Sequence, residues 1–249
     1  MGQIVSQVTA LFLTLGLCFS MLFVKKKHPA LVCKSIEITI QDYKEQSFVT
    51  AQEIVDLLQA THNIALQKTP LKKINTYAIQ QELKSHPLIK TVLVYKTWNG
   101  ALKVDLVTKF FIARMIRLTA PNGSQIYIDE EGGIIELKGL PILGMLVVMG
   151  KNIITEKSKL HHKGLLPLLQ YIASHPFWQR QITSLEVADN GKIILGTQIG
   201  GHQIQFGYPR DIANKFEKLE LFYKEVIPYK GWNAYHRVNL EFENQLICE

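Results

Sequence analysis

Residues 83 to 106, LKSHPLIKTVLVYKTWNGALKVDL, leave the chain little choice of fold. Pro87 disfavours helical geometry at His86, so a helix running through Leu83 must stop there. Leu88 to Trp98 is dense in β-branched and aromatic residues, the composition of a strand. Asn99-Gly100 supplies the positive φ values of a two-residue type I′ turn, whose twist suits the flanking strands. Leu102, Val104 and Leu106 then alternate with Lys103 and Asp105, which gives one face to a core and the other to water. This hairpin carries no reactive group, and that points to recognition rather than chemistry.

The residues before it complete a unit. Ile36, Ile38 and Ile40 alternate with polar neighbours as in a half-buried strand. Thr50 and Glu53 are spaced as a capping box, with Val49 and Ile54 as its hydrophobic staple. Ile54, Leu57 and Leu58 then share one helical face. Asn75 is placed to cap a second helix that buries Ile79 and Leu83. The order over residues 34–109 is β-α-α-β-β, a two-layer unit with both helices on one side of the sheet.

Ahead of this unit, Ile4 to Val24 contains no charged side chain. At about 1.5 Å per residue such a run spans a hydrocarbon core of roughly 30 Å. A cleaved signal peptide needs a basic start and a small-residue cleavage site, and neither is present. The expected division is a short tail (1–3), a transmembrane helix (4–24), a juxtamembrane linker (25–33) and the soluble units. Lys25, Lys26 and Lys27 come directly after the span, where positive-inside reasoning places cytoplasm.

Composition removes several classes of function. Lys and Arg outnumber Asp and Glu by 28 to 21, a net charge of +7, but the cations are scattered rather than gathered with stacking aromatics. Nucleic acid is therefore not an expected partner. The three cysteines, Cys18, Cys33 and Cys248, form no Cys-x-x-Cys. Pairing of Cys33 with Cys248 stays open, with free thiols preferred.

Residues 110–249 read as a mainly antiparallel β domain with flanking helices, which makes the chain α+β. Asn122-Gly123 and Asp129 to Gly133 mark turns, and SQIYID and IIEL read as strands. Leu165 to Ser174 is a helix with Pro167 in its first turn. Ile212, Phe216, Leu219, Tyr223 and Val226 stripe a second helix over Asp211 to Val226. In RVNLEF, Val238, Leu240 and Phe242 alternate inward, and Glu243-Asn244 turns the chain into a last strand over Gln245 to Cys248. A strand so placed is a sheet edge, open to strand addition.

No catalytic, cofactor or metal site emerges. Asp129, Glu130 and Glu131 read as a solvated turn. His161 and His162 read as neighbours projecting apart among Lys157, Lys159 and Lys163. GKIILGT, residues 191 to 197, lacks the lysine a phosphate loop requires. Gly-x-Ser-x-Gly and His-Glu-x-x-His are both absent, and a small-molecule substrate is not expected.

The β-α-α-β-β order after an anchor resembles a POTRA domain. Over its length the chain is similar to the FtsQ/DivIB cell-division family, and its closing residues resemble FtsQ proteins of the Bacteroidetes type. The resemblance rests on FVTAQEIVDLL, on INTYAIQQELKSHPLIKTVLVYKTWNGALKVDL, and on a Tyr-x-Asp-x-x-Gly hairpin. Leu140, Pro141 and Gly144, and the closing GWNAYHRVNLEFENQLICE, extend it. Phe111 stands where the family has proline.

This resemblance implies a non-enzymatic divisome scaffold in the cell inner membrane at the septum, with a single span and both soluble domains periplasmic. FtsB and FtsL homologues and other divisome proteins are the implied partners, and Phe242, Leu246 and Ile247 the implied FtsB contacts. The rival readings are a membrane-anchored cell-wall enzyme and a POTRA-type transport or assembly module.

Overall fold

The computed structural model describes residues 31–41, 48–62, 67–116, 124–138, 144–151, 153–154, 160–243 and 245–249, with Thr14 and Gly16 besides. The expected transmembrane segment 4–24 lies otherwise outside the described residues, as do Asn122-Gly123, Leu140 and Pro141. Among the described residues no helix is long and apolar enough to cross a membrane. The chain forms two compact units, Met1–Thr108 and Lys109–Glu249.

The first unit runs β1 (Ser35–Gln41), α1 (Ala51–His62), a 3-10 turn (Leu71–Lys73), α2 (Thr76–Lys84), β2 (Ile89–Lys96) and β3 (Ala101–Thr108). Its sheet has the order β1-β3-β2, with β1 parallel and β2 antiparallel to the central strand. Local chemistry sets the helix starts. Thr50 N–H donates to Glu53 Oε2 at 2.7 Å and Glu53 N–H to Thr50 Oγ1 at 3.2 Å, the reciprocal capping box. Ala78 N–H donates to Asn75 Oδ1 at 3.1 Å. Leu102, Val104 and Leu106 are buried on one face of β3, together with Ile54, Leu58, Ile79 and Leu83 of the helices. Each such side chain stabilises by roughly 1.5–3 kcal/mol. The other face carries Glu37 paired to Lys103 at 3.3 Å and Tyr95 donating to Asp105 at 3.1 Å.

The hairpin turn differs from the two-residue form expected. Lys96 pairs with Leu102, and Thr97 N–H donates to Ala101 O at 2.9 Å, so three residues form the loop. Gly100 N–H donates to Thr97 O at 3.3 Å, and positive φ falls on Gly100 (99°) but not on Asn99. This is a tight turn through Trp98 and Asn99 closed by a left-handed glycine. The Thr97 hydroxyl decides it, because it accepts from Ala101 N–H at 2.9 Å and shifts the closing pair by one residue.

The second unit runs β4 (Phe111–Met115), β5 (Ser124–Asp129), β6 (Ile134–Lys138), β7 (Leu146–Gly150), α3 (Leu165–Ser174), α4 (Pro176–Gln181), β8 (Ile182–Val187), β9 (Ile193–Thr197) and β10 (Gln203–Gly207). It ends with α5 (Ile212–Leu221), a π turn (Phe222–Val226), α6 (Ile227–Lys230), β11 (Arg237–Asn239) and β12 (Ile247–Cys248). One sheet holds all nine strands in the order β12-β11-β10-β9-β8-β7-β4-β5-β6. Antiparallel pairs predominate, but β4–β7, β7–β8 and β10–β11 are parallel. The helices explain two of these, because α3 and α4 carry the chain from β7 to β8, and α5 to α6 carry it from β10 to β11.

Leu185, Leu195, Ile204, Phe206, Val238 and Leu240 of the sheet are buried in one cluster with Leu168, Leu169, Trp178, Phe216 and Leu219 of the helices. The opposite face keeps Glu186, Gln205 and Asn239 at least partly exposed. Gly164 stands before α3 because a Cβ there would collide with Pro209 O.

Candidate partner-binding edge

The last strand is fixed by a short set of backbone bonds. Arg237 N–H donates to Glu249 O at 3.0 Å, and Glu249 N–H donates back to Arg237 O at 2.9 Å. His236 N–H also donates to Glu249 O, at 2.7 Å. Bonded and unbonded pairs alternate in an antiparallel ladder, so Val238–Cys248 is an unbonded pair. The amide and carbonyl of Cys248 therefore point away from β11, toward the free side of the sheet. Within the described strands β12 is terminal.

Beside this edge lies a groove of about 500 Å3, lined by Lys218, Leu221, Phe222, Glu225, Val226, Tyr235, Gln245, Leu246 and Cys248. Helical spacing puts Lys218, Leu221, Phe222, Glu225 and Val226 on one flank of α5 and the π turn, adjoining the stripe that enters the core. Leu246 and Cys248 supply the facing wall, and burial pushes the Cys248 thiol up from its ordinary value. Lys218 Nζ donates to Phe242 O at 2.6 Å and Glu243 O at 3.1 Å, which holds the chain ahead of β12 against the helix.

A buried polar network positions the loop that leads to β11. His202 is 1% exposed, with Nε2 2.9 Å from Trp232 O and Nδ1 2.9 Å from Tyr223 Oη. A carbonyl only accepts, so Nε2 carries a proton toward Trp232 O, and Nδ1 and the Tyr223 hydroxyl share the second bond. Gln181 Nε2 donates to Ile199 O at 3.0 Å and to Tyr223 Oη at 3.4 Å. Burial pushes the Tyr223 phenol up, away from ionisation.

The three expected contact residues are separated by this geometry. Leu246 is half-buried, packs on the core and lines the groove. Ile247 pairs with Asn239 and is 37% exposed on the opposite face. Phe242 does not alternate inward. It is 45% exposed, because Asn239 Oδ1 accepts from Glu241 N–H at 2.9 Å and the chain leaves the strand after the buried Leu240. The expected last strand over Gln245 to Cys248 is reduced to Ile247–Cys248, and Asn244 of the turn lies outside the described residues. Cys248, Tyr235 and the α5 flank escaped the sequence reading. The Lys218, Leu221, Phe222, Glu225 and Val226 spacing was the available signal.

The polar clusters singled out in the sequence have local roles. Asp129 is buried rather than solvated, accepting from Glu131 N–H at 3.0 Å, Gly133 N–H at 2.6 Å and Lys109 Nζ at 3.3 Å. It braces the β5–β6 turn. His161 and His162 meet edge to face at 5.1 Å instead of projecting apart, since neither helix nor strand separates them. Among the described residues no three His, Cys, Asp or Glu side chains gather as metal ligands would.

Residues 31–107 match the model of the POTRA-like domain. The fold is thus a POTRA-like unit followed by a mixed-sheet domain whose terminal strand, among the described residues, is β12. Residues 113–249, more than half of the chain, match the family model described as FtsQ/DivIB, C-terminal related, and the chain belongs to that family. The FtsQ/DivIB family is one of non-enzymatic cell-division proteins. No curated protein matches the chain.

Proposed function

We propose that the protein is a membrane-anchored divisome scaffold whose second unit takes up a strand of an FtsB homologue, itself in complex with an FtsL homologue, along β12. One observation carries this reading: the outward amide and carbonyl of Cys248 stand at a terminal strand beside an apolar groove. Strand addition needs unpaired backbone groups for affinity and adjacent pockets for alternate side chains. The edge supplies the first and the groove lined by Leu246 supplies the second. Phe242 ahead of the strand and Ile247 on its other face are further contacts.

Anchoring through residues 4–24, a periplasmic location for both units and placement at the septum are supported by the uncharged run and by family membership. The test is capture of the full chain from crosslinked dividing cells. FtsB and FtsL homologues are expected in the captured material, and their absence would remove the scaffold reading. Turnover of purified peptidoglycan by the isolated protein would overturn its non-enzymatic part.

A further inference from the structure

Residues 31–34 are stitched into one end of the first unit. Leu71 N–H donates to Leu31 O at 2.8 Å, Cys33 N–H to Thr69 O at 2.9 Å, and Lys68 N–H to Cys33 O at 2.8 Å. Lys34 N–H donates to Gly100 O at 2.8 Å, which brings the tip of the β2–β3 hairpin to the same end. The solvent-facing surface of this end is unusual. Trp98 is 96% exposed, with Leu31 at 45% and Val32 at 40%. Lys34, Lys68, Lys72 and Lys73 are exposed around them, and no Asp or Glu occurs in residues 25–36, 67–81 or 94–104. Lys68 holds a left-handed backbone (φ 73°), a conformation uncommon outside glycine, and its N–H is tied to Cys33.

An exposed tryptophan set among lysines and clear of carboxylates has the chemistry of a membrane interface. The indole settles among headgroups and the ammonium groups lie over lipid phosphates. Chain length places the bilayer within reach. Val24, where the uncharged run stops, and Leu31 are seven residue steps apart, at most about 25 Å. The six residues between them hold Lys25, Lys26 and Lys27, three further positive charges in the stretch between the run and this end of the unit.

We propose that this end of the first unit docks on an anionic lipid surface, with Trp98 in the headgroup layer and Lys34, Lys68, Lys72 and Lys73 over the phosphates. The inference rests on the anchor reading of residues 4–24. It also gives Lys25 to Lys27 a task other than setting topology, since anionic lipid attracts them on whichever side they emerge.

The experiment uses the full chain reconstituted in vesicles of phosphatidylcholine, alone or mixed with phosphatidylglycerol, carrying bromine on the acyl chains. The emission of Trp98 is isolated by subtracting a Trp98→Phe variant, which removes the contribution of Trp178 and Trp232. Bromine is expected to quench Trp98 in the phosphatidylglycerol vesicles and far less in phosphatidylcholine alone. Lys72→Gln and Lys73→Gln should each lower the docked-to-undocked ratio about fivefold, and added salt should lower it further. Retention of the chain through an alkaline carbonate wash reports the span independently of this surface. A retained chain whose Trp98 is unquenched in both lipids overturns docking and leaves the anchor standing, with a protein as the partner of that end. Quenching indifferent to lipid charge and to both lysines overturns it as well. A chain released by the wash removes the anchor and the docking together.

Discussion

Arg237 and Glu249 exchange backbone hydrogen bonds in both directions, at 3.0 and 2.9 Å. Strand alternation then aims the amide of Ile247 at β11 and the amides of Leu246 and Cys248 at the open side. Proline removes one amide at a time. Ile247→Pro should lower the melting temperature of the second unit, at a cost of about 1–3 kcal/mol for a broken ladder bond. Leu246→Pro should leave the unit folded and lose the FtsB homologue in co-purification. Leu246→Ala keeps the amide and loses the side chain's core and groove contacts, so it should retain more partner than the proline variant. Full capture by a folded Leu246→Pro chain would rule out strand addition here.

A second prediction concerns the turn of the first unit. Gly100 has φ 99°, and a Cβ on it would lie 3.1 Å from Val32 O. Gly100→Val puts a β-branched residue where the backbone is left-handed, a strain of order 1–3 kcal/mol. In calorimetry the transition of the first unit should move down while that of the second stays in place. A single transition shifting as one would show that the two units melt cooperatively.

How much of the fold was legible in the sequence depended on range. The Thr50–Glu53 capping box and the Asn75 cap involve residues three apart, and local chemistry decides them. The helix over Leu165–Ser174 was equally plain. The turn at Asn99-Gly100 was placed correctly but typed wrongly, because the Thr97 hydroxyl competes for the Ala101 amide and no propensity table weighs that bond. Parallel pairing of β7 with β8 joins Val147 to Ser184 across two helices, and nothing in either strand's alternation announces it. Phe242 fits the period of RVNLEF, yet the Asn239 side chain bends the chain out of the strand first. Periodicity describes a strand while it lasts and is silent about where it stops.

A third prediction comes from a buried cation. Lys215 is 8% exposed, and its Nζ donates to Phe206 O at 2.7 Å and Tyr208 O at 2.9 Å. Burial, with Arg210 nearby, holds its ammonium below the ordinary value of 10.5. The unfolded chain therefore binds this proton more tightly than the folded one. The contribution of Lys215 to stability rises with pH between its lowered folded value and 10.5. Lys215→Met lacks the term, so the melting difference between wild type and variant should move in favour of wild type as pH rises through that window. A difference constant with pH would mean that Lys215 titrates as it does in water.

The fourth prediction is topological. Lys25 to Lys27 favour a cytoplasmic location for the two folded units, and the family reading favours the periplasm. A reporter active only in the periplasm, fused after Glu249, should be active. A silent fusion paired with an active cytoplasmic reporter would reverse the assignment.

The parallel pairing of β1 with β3 also orders events during synthesis. Ile36, Ile38 and Ile40 have their partners at Leu102, Val104 and Leu106. Both helices and the whole of β2 must leave the ribosome before the first strand meets its neighbour. The β2–β3 hairpin closes over three residues and forms on the microsecond scale, so it becomes the template. β1 is made first, yet its pairing waits for β3 and closes the longest loop of this sheet.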